Sequence, residues 1–101
     1  MSNTLKVVTS ALGYQQITSL SASAALTTPV RDANGLSARA SFAIIIAEAQ
    51  AVRWRDDGIA PTASVGMPLA AGVALQYDGD LQKIRFIEQV AGASLNISYY
   101  V

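Results

Sequence analysis

The chain has 101 residues, which suits one domain and is too short for two. Its seven basic and seven acidic side chains cancel, so it lacks the basic excess with which nucleic-acid-binding domains neutralise phosphates. Cysteine and histidine are absent, which excludes disulfides, zinc sites built from these residues, and catalysis by a cysteine nucleophile or a histidine base.

The N-terminal part of the chain is uncharged from residue 7 to residue 30. Polar side chains interrupt it too often for a membrane span or a signal-peptide core, so we expect neither. Apolar and polar side chains alternate over residues 17–28, which predicts a half-buried strand. We expect residues 1–30 to form an extended arm or edge strands that contact another copy, with Leu20 and Leu26 at the interface. An internal strand of the same subunit is the alternative.

The stretch of residues 36–55 has two interpretations. Its alanine, glutamate, glutamine and arginine content favours a helix, whereas the run of three isoleucines at residues 44–46 favours a strand. We predict two strands with a bend near residues 47–49, and one long helix is the alternative. On two strands, Trp54 is a core residue between outward-pointing arginines. Its alternative role is a stacking platform for a sugar, a base or a partner.

The segment after Trp54 is predicted as a structural turn that leads into a long connection. An Asp-Gly pair suits the left-handed backbone of turns. The residues assigned to this structural turn are Asp56, Asp57, Gly58, Pro61 and Thr62.

A second turn contains Asp78 and Asp80, and carboxylates from the two turns could bind calcium if both turns lay at one end of the domain. The simpler interpretation is that aspartate stabilises turns by hydrogen bonding to its own backbone. A calcium loop of the D-x-D-x-D-G type is absent from the sequence. We therefore expect no metal or cofactor.

The C-terminal third is predicted to form strands at residues 73–77, 83–90 and 95–101. Their alternation places Tyr100 opposite the apolar side of the last strand, as a candidate interface residue, and predicts four further core residues: Ile84, Phe86, Leu95 and Ile97. Short strands separated by glycine-containing turns predict a mainly β, single-domain antiparallel β-sandwich or a jelly-roll-like barrel over residues 1–101.

Catalytic patterns are missing from the sequence. It has no G-x-S-x-G segment and no glycine-rich phosphate loop, and a domain of this size offers little cleft for a glycosidase pair of carboxylates. We expect the protein to act by binding or assembly and not as an enzyme.

Residues 51–72 read AVRWRDDGIAPTASVGMPLAAG, and they are followed by IRFI at residues 84–87 and SYY at residues 98–100. Over roughly its last sixty residues, the chain resembles small virion structural proteins of tailed bacteriophages and prophages. The resemblance implies a capsid decoration, or cement, protein that binds between shell subunits. A head–tail or tail component is the alternative within the same class.

The resemblance also implies the partners and the location. The partners would be capsid or other virion proteins and further copies of the chain, in a trimer, without direct contact to nucleic acid or membrane. The location would be a virion assembled in the host cytoplasm. The Asp-Gly and Pro-Thr pairs also occur in immunoglobulin-like modules of sugar-degrading enzymes. The second functional hypothesis is therefore a carbohydrate- or surface-binding module, with Trp54 and the tyrosines as its platform.

Overall fold

The computed structural model describes residues 10–31, 35, 37 and 39–101, and within them every regular element is a strand. Residues 1–9 of the expected arm lie outside the described residues. The strands are β1 (Ala11–Ile17), β2 (Ala24–Ala25), β3 (Phe42–Glu48), β4 (Val52–Arg55), β5 (Met67–Leu69), β6 (Ala74–Tyr77), β7 (Arg85–Glu88) and β8 (Ser94–Tyr100).

The strands form two four-stranded antiparallel sheets. The first sheet has the order β1-β8-β3-β6, and the second has the order β2-β7-β4-β5. The predicted β-sandwich is confirmed, whereas the barrel alternative is wrong because each sheet keeps two open edges among the described strands. Strands β1 and β6 are the edges of the first sheet, and β2 and β5 are those of the second.

The core lies between the two sheets and follows the alternation of the strands. On β8, Leu95, Ile97 and Tyr99 point inward, as the period of two requires. The four further core residues predicted from the sequence, Ile84, Phe86, Leu95 and Ile97, are all 0% exposed, so that prediction is confirmed. Strand β3 contributes Ala43, Ile45 and Ala47, and its small alanines allow the inner side chains of the facing sheet to pack closely.

The stretch of residues 36–55, for which a helix was the alternative, contains the two strands β3 and β4. The helix alternative is therefore wrong. The chain leaves β3 after Glu48, and Ala49 takes a left-handed backbone with φ of 74°. Gln50 then donates its N–H to the carbonyl of Glu48, 2.9 Å away. This tight bend carries the chain from the first sheet to β4 of the second.

The N-terminal part requires a correction. Instead of one strand over residues 17–28, β1 ends at Ile17 and only Ala24–Ala25 is a strand. Leu20, predicted as an interface residue, is 1% exposed and belongs to the core. Its carbonyl accepts a hydrogen bond from the Glu88 N–H, which fixes the crossing from one sheet to the other and directs the leucine inward. Leu26, also predicted at the interface, is partly buried against the core.

Candidate functional site

Trp54 lies on β4 and alternates with the buried Val52, so its ring faces the space between the sheets. It meets Tyr77 of the other sheet edge-on, with ring centroids 5.9 Å apart and an interplanar angle of 67°. The indole packs against the core but stays partly exposed, so Trp54 is a boundary residue and not the enclosed core residue predicted.

The arginines on either side of Trp54 have different roles. The guanidinium of Arg53 donates through Nε to the carbonyl of Ala63 (3.1 Å) and through Nη1 to that of Gly66 (2.9 Å). Arg55 instead forms an exposed ion pair with Asp57. The side-chain hydrogen bond within this ion pair raises the pKa of Arg55 and lowers the pKa of Asp57. Arg53 therefore organises the loop between β4 and β5, while Arg55 contributes mainly charge to the surface.

The loop of residues 56–66 is held by hydrogen bonds between its own residues. The Thr62 hydroxyl accepts the N–H of Val65 at 3.0 Å, and the Thr62 N–H donates to the Val65 carbonyl at 2.9 Å. Pro61 of this loop is buried. At Gly66 φ is 142°, and a Cβ there would lie 3.2 Å from Arg53, Pro61 and the Trp54 carbonyl. The residues that carry the phage resemblance in this loop thus have structural roles.

The aspartates of the two turns also have hydrogen-bond partners within the protein. Asp56 accepts a hydrogen bond from the Tyr77 hydroxyl at 2.6 Å, and Asp80 accepts the N–H of Gln82 at 2.9 Å. In the part of the chain that the structure describes, no three His, Cys, Asp or Glu side chains are grouped to hold a metal ion. The Asp80 contact matches the turn-stabilising interpretation, whereas Asp56 binds a side chain of another strand instead of the backbone of its own turn.

A shallow depression of about 390 Å³ opens beside the loop. Its floor and rim combine an aromatic ring, an ion pair and apolar side chains. The lining residues are Trp54, Arg55, Asp56, Asp57, Val65, Gly66 and Met67.

The outer faces of the two sheets differ in charge. The four strands of the first sheet contain one charged residue, Glu48, at the end of β3. The second sheet carries Arg53, Arg55 and Arg85 at outward positions of its two central strands. The outer face of the first sheet is formed mainly by uncharged side chains, among them Tyr14, Gln16, Phe42, Ile44, Ile46, Asn96, Ser98 and Tyr100.

This outer face includes an apolar row on β3, whose alternation was recognised in the sequence but was not predicted to form a surface. Strand β3 reads FAIIIAE, with apolar side chains on both of its faces. Ala43 and Ile45 are fully buried, whereas Ile44 and Ile46 are partly exposed on the outer side. Tyr100, a predicted interface residue, lies beside Phe42 with ring centroids 5.7 Å apart. A strand that is apolar on both sides is typical of one covered on both sides, and that was the available signal.

Comparison of the chain with protein-family models, with curated proteins and with solved structures returned no match. Among the described residues, no helix is long and apolar enough to cross a membrane.

Proposed function

We propose that the protein is a non-enzymatic structural protein of a tailed-bacteriophage virion, which decorates the capsid by binding between shell subunits. The observation that carries the proposal is the outer face of the first sheet, which has an apolar row on β3 and Glu48 at the end of that strand as the one charged residue of its strands. Interfaces are depleted of charge at their centres and enriched in aromatic residues. The sequence resemblance supplies the class of partner.

The two sheets of the sandwich would have different roles in this function. The first sheet would contact shell proteins through Phe42, Ile44 and Tyr100, where no charge is stranded by burial. The second sheet, with its three outward arginines, would remain facing solvent. A head–tail or tail position uses the same contact face, so microscopy must distinguish these positions.

The test uses purified tailed-phage particles from the strain that encodes the chain. Labelled protein is added to the particles, and bound label is counted and located by negative-stain microscopy. We expect label over the capsid shell, whereas label at the junction or tail would move the function there. Protein that binds no part of the particle would contradict the virion proposal.

A matched pair of variants tests the contact face. Ile44→Lys places a charge on the outer face of the first sheet, and Ile87→Lys places the same charge on that of the second. Both side chains are partly exposed, so the two variants carry similar folding costs. We expect Ile44→Lys alone to lose particle binding. Equal binding by both variants would assign the contact to another surface.

The depression beside Trp54 favours a second candidate, a carbohydrate-binding module. An aromatic ring next to the Arg55–Asp57 pair offers a stacking face and polar groups for sugar hydroxyls. A glycan array tests this candidate directly. Binding to a glycan that is weakened by Met67→Ala, without loss of thermal stability, would support the carbohydrate-binding candidate. An array on which no glycan binds would reject this candidate and leave the virion protein as the one proposed function.

A further inference from the structure

The four edge strands of the sandwich are unequally protected against pairing with another strand. Strand β2 has two residues, β5 has three and contains Pro68, and β6 has four. Short strands and proline are two of the devices by which natural proteins protect sheet edges. Strand β1 has seven residues, with neither charge nor proline, and β8 is its one strand neighbour among the described residues.

The hydrogen-bond pattern shows which backbone groups of β1 face the open edge. Val101 donates its N–H to the Ser10 carbonyl, and the Tyr100 carbonyl accepts from Ser41 before β3. Odd-numbered residues of β8 therefore face β1, and even-numbered residues face β3, because sides alternate along a strand. Through the register, Gly13, Gln15 and Ile17 bond to β8, and a register shift between Ala11 and Gly13 ends this alternation. The N–H and C=O groups of Tyr14 and Gln16 point to the open edge.

We propose that two copies of the chain pair antiparallel through β1, about a two-fold axis at Gln15, and join their first sheets into one continuous sheet. Tyr14 of each copy then lies opposite Gln16 of the other, and the two pairs exchange about four backbone hydrogen bonds. This inference deepens the assembly role proposed above and rests on it for its biological purpose.

A second copy fits this edge for two reasons. The open positions Tyr14 and Gln16 are symmetric about Gln15, so this part of the strand is complementary to itself in the antiparallel direction. Strands β1 and β8 carry no charged side chain, so two copies meet at this edge without repulsion between like charges. Such pairing closes at two copies, and it therefore gives a dimer in place of the trimer expected from the resemblance.

The first experiment blocks the open edge. Gln16→Pro removes an edge-facing N–H without removing a bond to β8, as edge strands tolerate. Gln76→Pro is the matched control, because the same alternation places Gln76 at an edge-facing position of β6, on the opposite edge of the same sheet. Light scattering over a concentration series should show a dimer for the natural chain and for Gln76→Pro, and a monomer for Gln16→Pro.

A second experiment does not depend on proline and tests the register. The double variant Tyr14→Lys with Gln16→Lys places like charges opposite each other across the axis, whereas Tyr14→Lys with Gln16→Glu places opposite charges there. Both variants lose the same two hydrogen bonds to the Asn96 Oδ1, one from the Tyr14 hydroxyl and one from the Gln16 amide. We expect the dimer Kd of the Lys/Lys variant to exceed that of the Lys/Glu variant by about tenfold or more.

Four outcomes would overturn the inference: a natural chain that is monomeric at every concentration, a trimer, equal Kd values for the two charge variants, or association lost on deletion of residues 1–9. These measurements need no phage particle. A monomeric chain that still binds capsids would reject the dimer and leave the proposed function standing, and a dimer that binds no particle would do the reverse.

Discussion

The hydroxyl of Tyr77 donates a hydrogen bond of 2.6 Å to the carboxylate of Asp56 and thereby ties β6 of the first sheet to the end of β4 in the second. The chain makes room for this contact at Gly79, where a Cβ would lie 2.4 Å from the tyrosine oxygen. The two sheets are thus joined where no strand pairing can join them.

This contact predicts a loss of stability at alkaline pH. Burial and the Asp56 carboxylate raise the pKa of Tyr77, and burial raises the pKa of Tyr99 to about 12. The folded chain keeps these protons at pH values where the unfolded chain, with tyrosine pKa near 10, releases them. The stabilisation is complete below about pH 10 and is lost as the pH rises through the folded-state values.

Urea unfolding followed between about pH 8 and about pH 11.5 measures this loss. Tyr77→Phe should reduce the slope of stability against pH, and Tyr99→Phe should reduce it as well. An identical slope for the natural chain and Tyr77→Phe would show that the Tyr77 proton is not linked to folding.

Alanine substitutions at two glycines of the loop should lower the free energy of unfolding by different amounts. Gly58 has φ of 86°, and a Cβ there would have no other atom within 4 Å, so Gly58→Ala should cost only the left-handed backbone, about 1 kcal/mol. Gly66→Ala adds contacts of 3.2 Å to that backbone strain and should cost about 2–4 kcal/mol. Chemical denaturation compares them, and equal losses would argue against the close packing at Gly66.

Arg53 and Arg55 provide a second matched pair, because lysine keeps the charge and loses the planar fork of donors. Arg53→Lys breaks contacts to two loop carbonyls and should cost about 1–3 kcal/mol. Arg55→Lys alters an exposed pair and should change stability by less than about 1 kcal/mol. Amide exchange in residues 56–66 should rise in Arg53→Lys alone, and unchanged exchange would remove Arg53 as the organiser of the loop.

Trp54 is predicted to contribute to stability in spite of its partial exposure. Trp54→Ala removes the ring that contacts Tyr77 and should cost about 3 kcal/mol, the lower end of the range for aromatic truncation. Met67→Ala, at the exposed residue paired with it across the strands, should be nearly neutral. A stable Trp54→Ala variant that loses a glycan or a partner would support the binding-platform role.

The strands near the C-terminus could be predicted from the sequence because large and polar side chains alternate there. On β8, Leu95 and Ile97 alternate with Asn96 and Ser98, and each strand face is unambiguous. Over residues 17–28 the alternation is carried mainly by alanine and serine, which differ too little in burial energy to hold a strand. The buried Leu20 instead determined where the chain crossed between the sheets.

The outer face of the first sheet was harder to predict for another reason. Tyr14, Ile44 and Tyr100 come from distant parts of the sequence, and only the register of β1, β3 and β8 brings them to one surface. The loop at residues 56–66 was easier to predict, because the Asp-Gly pair, the Pro-Thr pair and the glycines form turns through residues that are close in sequence. Its turn residues could therefore be assigned without knowledge of the strand order.

The pairing of β1 with β8 also determines how the molecule responds to mechanical load. Ser10 and Val101 are joined by a hydrogen bond of 2.9 Å, so forces applied at these two residues act at the same end of one antiparallel pair. Such forces break the hydrogen bonds between β1 and β8 one after another, so a small load separates the two strands. A pull directed along β3, the central strand between β8 and β6, would have to shear many bonds together. The sandwich is therefore mechanically weak along one axis and resistant along another.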